Sequence, residues 1–97
     1  MASVKLTDRA VSDLERIFEF VATADPQRAL AVVEDIEDAL QVLTRHPLIG
    51  RGVEDGRREL VISHGRRTYI ALYRWFEVDS HVLVLAIRSA REAGYAD

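Results

Sequence analysis

Three histidines, twelve arginines and one glycine-rich stretch are the residues whose types could do chemistry in this chain. His46, His64 and His81 form no HExxH or i, i+4 pair, so they read as no metal site. With no cysteine anywhere, thiolate-bound zinc, iron–sulfur centres, thiol nucleophiles and disulfides are excluded, and no cofactor is implied. Gly50-Arg51-Gly52-Val53-Glu54-Asp55-Gly56 lacks the GK[ST] ending of a phosphate-binding loop and follows a helical pattern, so its glycines read as turn formers. No spacing suggests a Ser-His-Asp triad. The arginines are the stronger lead, because their planar fork suits carboxylate and phosphate. Arg74 alternates onto one strand face with Ile70, Leu72 and Phe76, where a guanidinium must find solvent or a partner. Arg88 ends the last strand similarly, three residues before Arg91. Arg74, Arg88 and Arg91 are therefore the candidate anion or target contacts.

The elements that must position them follow from periodicity. Thr7 and Asp8 read as the start of a helix whose apolar face is Val11, Leu14, Ile17, Phe18 and Val21, with Arg9, Ser12, Asp13, Glu15, Arg16 and Glu19 on the other side. Asp25-Pro26 caps a second helix with Ala29, Val33, Ile36, Leu40 and Leu43 inward, giving an antiparallel helical hairpin. Its acidic run Glu34, Asp35, Glu37 and Asp38 reads as a solvated face, with docking of a basic segment as the alternative. A loop of about ten residues follows Arg45. The period then falls to two, predicting antiparallel strands over Arg58–Ser63, Thr68–Phe76 and His81–Arg88. Tyr69, Ala71, Tyr73 and Trp75 share one strand face and read as core. Val82 to Ile87 is apolar on both faces and predicts an interior strand. Ser3–Leu6 supplies a further short strand. The order β-α-α-β-β-β predicts one α+β domain over residues 1–97, an antiparallel-rich sheet covered on one face by the hairpin.

Composition bounds the function. Ninety-seven residues, 48% hydrophobic and 30% charged, make one globular domain rather than a disordered chain. No apolar run approaches the roughly 20 residues of a membrane span and no signal-peptide pattern opens the chain, so the cytoplasm is the expected compartment. The net charge of −3 divides into −5 over residues 1–44 and +2 over residues 45–97. A pI near 5.6 argues against nonspecific nucleic-acid binding and confines any phosphate contact to a local patch.

Asp13-Leu14, His46-Pro47-Leu48-Ile49-Gly50-Arg51, Arg58-Glu59-Leu60-Val61-Ile62, Tyr69-Ile70-Ala71-Leu72-Tyr73-Arg74, and Val82 to Arg88 leading into Arg91-Glu92 occur in this order around that element pattern. Together they resemble the RelE/ParE toxins of type II toxin–antitoxin modules, also called plasmid-stabilisation proteins, over nearly the whole chain. The resemblance implies a small growth-arresting toxin neutralised by a co-encoded antitoxin, whose C-terminal segment wraps it. RelE-like members cut messenger RNA on the ribosome with several basic residues and a C-terminal tyrosine, whereas ParE-like members poison DNA gyrase. Where the nuclease branch keeps basic residues, this chain has Val61 and Ile70; Arg91 and Tyr95 alone match the nuclease pattern, and Ser89 replaces a histidine common among relatives. Cleavage through a ribose 2′-hydroxyl needs a base, an acid and positive charge. The resemblance therefore points to a ParE-like gyrase poison, not itself an enzyme. A RelE-type nuclease is the alternative, and a non-toxic binding module the further one.

Overall fold

The computed structural model describes residues 1–92, 94 and 95. Strand β1 (Ser3–Leu6) turns at Thr7 into helix α1 (Asp8–Ala22). Thr7 is extended, its Oγ1 accepts the Ala10 N–H at 3.1 Å, and Asp8 places a carboxylate in the first turn. Helix α2 (Pro26–Gln41) starts with Asp25 Oδ1 accepting from the Arg28 N–H at 3.2 Å and with proline where its missing N–H costs nothing. A 3₁₀ turn over Val42–Thr44 closes the hairpin. Strands β2 (Arg51–Gly52), β3 (Arg57–His64), β4 (Arg67–Phe76) and β5 (His81–Ser89) follow, with a second 3₁₀ turn over Glu54–Gly56. The segment after Arg45, expected as plain loop, thus contains a two-residue strand pairing with β3. Gly65 supplies the positive φ (58°) that the tight β3–β4 hairpin turn requires.

The five strands form one sheet in the order β1-β5-β4-β3-β2, with β1 parallel to β5 and the other pairs antiparallel. β5 is therefore interior, as its two-sided apolar run requires. Leu14, Ile17 and Val21 of α1 and Ile36 and Leu40 of α2 pack on Tyr69, Ala71 and Tyr73 of β4 and Val82, Val84 and Ile87 of β5. Each large side chain so buried contributes roughly 1.5–3 kcal/mol. Two inward positions differ from the periodic reading. Val11 is 45% exposed, and Val32 rather than Val33 is buried, because a 3.6-residue period carries the buried stripe through Ala29, Val32, Ile36 and Leu40.

Asp13, expected on the solvated side, is 3% exposed. The cause lies in strand lengths. β1 pairs with β5 only from His81 to Val84, so the remainder of that edge of β5 has no strand neighbour. α1 crosses there and its side chains replace the missing strand. Thr7 Oγ1 donates to the Leu85 carbonyl at 3.0 Å, Asp13 Oδ2 accepts the Ile87 N–H at 2.8 Å, and Arg16 Nη2 donates to the Ile87 carbonyl at 3.5 Å. Buried strand N–H and C=O groups need such partners.

Candidate functional site

A bulge decides what the open face of the sheet carries. Leu72 lies opposite Ala86 but Tyr73 opposite Val84, so Leu85 is an extra residue in β5. Simple alternation would put Arg88 on the helix-covered face with Val82 and Val84. The bulge reverses the parity beyond Leu85, Ile87 enters the core, and Arg88 comes opposite Ile70 on the open face. Cross-strand pairs share a face, so Arg57 opposite Arg74, Glu59 opposite Leu72 and Arg51 opposite Glu59 join it there. The open face thus gathers Arg51, Arg57, Arg74 and Arg88 around one carboxylate, Glu59, with Val61 and Ile70 between.

Glu59 is the hub of this surface. Arg51 Nη2 donates to its Oε1 at 2.6 Å and the Tyr95 hydroxyl donates to its Oε2 at 2.6 Å. Arg88 lies over the Tyr95 ring at 5.1 Å from the centroid. The Tyr95 bond, followed by the Arg51 bond, holds the Glu59 carboxyl below the usual glutamate range. Burial, reinforced by the bond to Glu59, pushes the Tyr95 phenol well above its ordinary value of 10. At neutral pH the pair is an ionised acceptor and a neutral donor. The carboxylate is engaged on both oxygens, which leaves it a poor base.

The neighbouring residue of the same strand works on the opposite side. Arg58 Nη1 donates to the carbonyls of Gly50 (2.8 Å) and Leu48 (3.2 Å), fixing the loop that leads into β2. The buried Tyr73 hydroxyl fixes it again, donating to the Pro47 carbonyl at 2.7 Å and accepting from the Gly50 N–H at 2.9 Å. Burial raises the Tyr73 phenol pKa. Gly50 is required here, because a Cβ on it would stand 2.6 Å from the Tyr73 hydroxyl and 2.8 Å from the Glu59 carbonyl. The loop and Arg58-Glu59 are one mechanical unit that presents Arg51 to Glu59.

The sequence-predicted residues divide. Arg74 and Arg88 share the open face, and Arg74 has no ion pair among the described residues, its Nη1 lying beside Gly56. Arg88 also donates to the carbonyls of Ser89 (3.3 Å) and Glu92 (3.1 Å), which ties it to the chain end. Arg91 is elsewhere. The chain turns after Ser89, and Arg91 lines a cleft with Arg16, Ile17 and Phe20 beside α1. Tyr95 sits with Arg88 and Glu59 rather than with Arg91. Arg51 and Glu59 stand in the sequence only as members of longer motifs and Arg57 in none; a carboxylate directly after two arginines in a strand is the available signal, but only the register unites the three. The three histidines lie apart. His46 is in the loop after α2, His64 bonds Asp35, and His81 stacks on Phe76 at 5.9 Å. Among the described residues no group of three or more ligating side chains could hold a metal, and no helix is long and apolar enough to cross a membrane.

A hairpin of helices on one face of a five-stranded mixed sheet is the arrangement of the RelE/ParE toxin class. Residues 4–94 match the family described as the ParE toxin of type II toxin–antitoxin systems, parDE. Toxin RelE1 of Caulobacter vibrioides is 32% identical over 80 residues, 82% of this chain and 86% of its own. Among solved structures, the chromosomal ParDE toxin–antitoxin system of P. aeruginosa aligns with a TM-score of 0.75 at 29% identity, covering 92% of this chain and 96% of that one. The intact E. coli RelBE complex aligns at 0.65 and 14% identity, over 95% of this chain and 100% of that one, a likeness of fold. The chain belongs to the RelE/ParE toxin family, the toxins of type II toxin–antitoxin modules.

Proposed function

We propose that this toxin acts by binding and poisoning DNA gyrase, and that a co-encoded antitoxin holds it inactive. The observation that carries the reading is the make-up of the open face. Val61 is 58% exposed and, with Ile70, lies among Arg51, Arg74 and Arg88, while Glu59 is engaged by Arg51 and Tyr95. Exposed apolar side chains beside arginines fit a protein target, since the buried centre of a protein interface is more apolar than the rest of the surface and arginine is enriched there. A ribosomal nuclease would need an available base and a cationic track for phosphates. The net charge of −3 adds to this, because long-range repulsion disfavours entry of an acidic protein into an RNA-walled channel. The antitoxin partner is supported by the P. aeruginosa and E. coli neighbours, which are described as toxin–antitoxin assemblies.

The Tyr95–Glu59 pair beside Arg88 is the feature that favours the RelE-type alternative, since a phenol, a carboxylate and a guanidinium are the groups such cleavage would use. One experiment separates the readings. Purified toxin is mixed with gyrase, ATP and relaxed plasmid, and in parallel with programmed ribosomes whose A site is open. Blocked supercoiling or trapped cleaved DNA is expected. Codon-positioned cuts in the messenger with gyrase untouched would overturn the proposal.

A further inference from the structure

The cleft at the C-terminal end of β5 has a makeup unlike the open face. It encloses about 410 Å³, within the ~300–1,000 Å³ span of built binding sites. Ile17 and the Tyr69 ring line it with hydrocarbon, and Phe20, 71% exposed at the end of α1, forms a wall. A single exposed aromatic ring is unremarkable. This one borders a cleft rimmed by three guanidinium groups, Arg16, Arg67 and Arg91, with Arg67 at 6.0 Å from the Phe20 ring centroid.

The cleft's own carboxylate does not neutralise them all. Glu92 accepts from Arg16 Nη1 at 2.7 Å and from the Ser89 N–H at 2.7 Å, so both its oxygens are taken. Arg67 and Arg91 have no carboxylate partner among the described residues. Tyr69, which lines the cleft, has a buried hydroxyl without a hydrogen-bond partner among those residues. An apolar slot and two cations without a carboxylate partner call for a ligand with an apolar anchor and a neighbouring carboxylate.

We propose that this cleft seats an acidic segment of the antitoxin, which inserts one large apolar side chain beside Phe20 and sets a carboxylate on Arg67 and Arg91. The assignment rests on the antitoxin partner proposed above. Charge complementarity selects a peptide over a nucleic acid. The cations here are confined to one cleft mouth beside an apolar slot, which suits a carboxylate with an apolar neighbour rather than a run of phosphates. Aromatic and arginine side chains together are also the usual anchors of protein interfaces.

The test uses the full-length toxin and the full-length antitoxin encoded beside it, with affinity measured by calorimetry at two salt concentrations. Phe20→Ser and Arg67→Glu should each weaken binding at least tenfold, and Arg67→Ala should flatten the salt dependence. Val78→Ser, at a 98% exposed position in the β4–β5 turn, should bind like the unaltered protein. Circular dichroism melts of the same variants confirm that folding is retained. Unchanged affinity in both Phe20→Ser and Arg67→Glu would sink the assignment while leaving the antitoxin partnership intact. Failure of the unaltered toxin to bind the antitoxin would remove the partnership itself. Binding of a short single-stranded RNA that Arg67→Glu abolishes and antitoxin does not compete away would overturn the choice of a peptide.

Discussion

Replacing Asp13 by alanine removes the acceptor that secures the edge of β5 immediately before Arg88. Asp13 Oδ2 takes the Ile87 N–H at 2.8 Å, and Arg16 lies 3.5 Å from the other oxygen. The carboxylate is 3% exposed, so water cannot substitute for it. A hydrogen bond to a charged group contributes roughly 1.5–3 kcal/mol, and an orphaned buried N–H adds its own desolvation cost. Asp13→Ala should therefore destabilise the fold by about 2–3 kcal/mol, which for a domain of this size lowers the melting temperature by roughly 10–20 °C. The Arg16–Asp13 ion pair adds little, because the Arg16 side chain is 41% exposed. Asp13→Asn keeps an acceptor oxygen for the Ile87 N–H and puts an amide nitrogen beside the 41% exposed Arg16, so about 1 kcal/mol is expected. Urea unfolding with unchanged m-values measures the difference, and hydrogen exchange at the Ile87 amide localises it. An alanine variant that melts with the unaltered protein, or an asparagine variant as damaged as alanine, would refute the edge-capping argument.

Gly50→Ala places a methyl 2.6 Å from the Tyr73 hydroxyl and 2.8 Å from the Glu59 carbonyl, so a loss of about 1–3 kcal/mol is expected in denaturant titration, with the loop before Arg51 displaced. Arg74→Ala should change stability by less than about 0.5 kcal/mol yet abolish inhibition of gyrase supercoiling; full inhibition by the stable variant would remove Arg74 from the contact surface. Arg88→Ala should lower both stability and inhibition, because it also releases the Ser89 and Glu92 carbonyls and the Tyr95 ring, and melting curves beside growth assays separate the two effects. The Tyr95–Glu59 bond carries opposite pH signatures. The depressed Glu59 pKa gives stability that is complete above the ordinary glutamate value of 4.5 and lost as pH falls through the folded-state value. The raised Tyr95 pKa gives stability that is complete below pH 10 and lost as pH rises beyond it. Melts of Tyr95→Phe across both limits should show a smaller acid-side loss and no Tyr95 component on the alkaline side.

Much of the fold was readable from single residues because local physics fixes it. Thr7 and Asp25-Pro26 start helices by satisfying or lacking backbone donors within one turn, and no distant contact is needed to choose them. The apolar run from Val82 to Ile87 predicts an interior strand, and β5 lies between β1 and β4, with Leu83 half-buried on the open face. Tyr69, Ala71 and Tyr73 declared the core face of β4 by alternation alone. Arg74 declared the open face by the same rule, and the structure places it there.

Other features depended on lengths and registers that no local window contains. Asp13 looks like a solvated helix residue until a four-residue β1 leaves the end of a nine-residue β5 uncovered. Arg88 alternates toward the core until one extra residue, Leu85, reverses the parity of the strand. Arg91 reads as a neighbour of Arg88, three positions away, until the turn after Ser89 carries it to the α1 cleft. Glu59 reads as an ordinary strand residue until β2 brings Arg51 to one oxygen and the chain end brings Tyr95 to the other. Side-chain type and period are encoded within a few residues and decided the elements. Which charges meet is set by strand length, bulge position and chain path, which are properties of the assembled sheet.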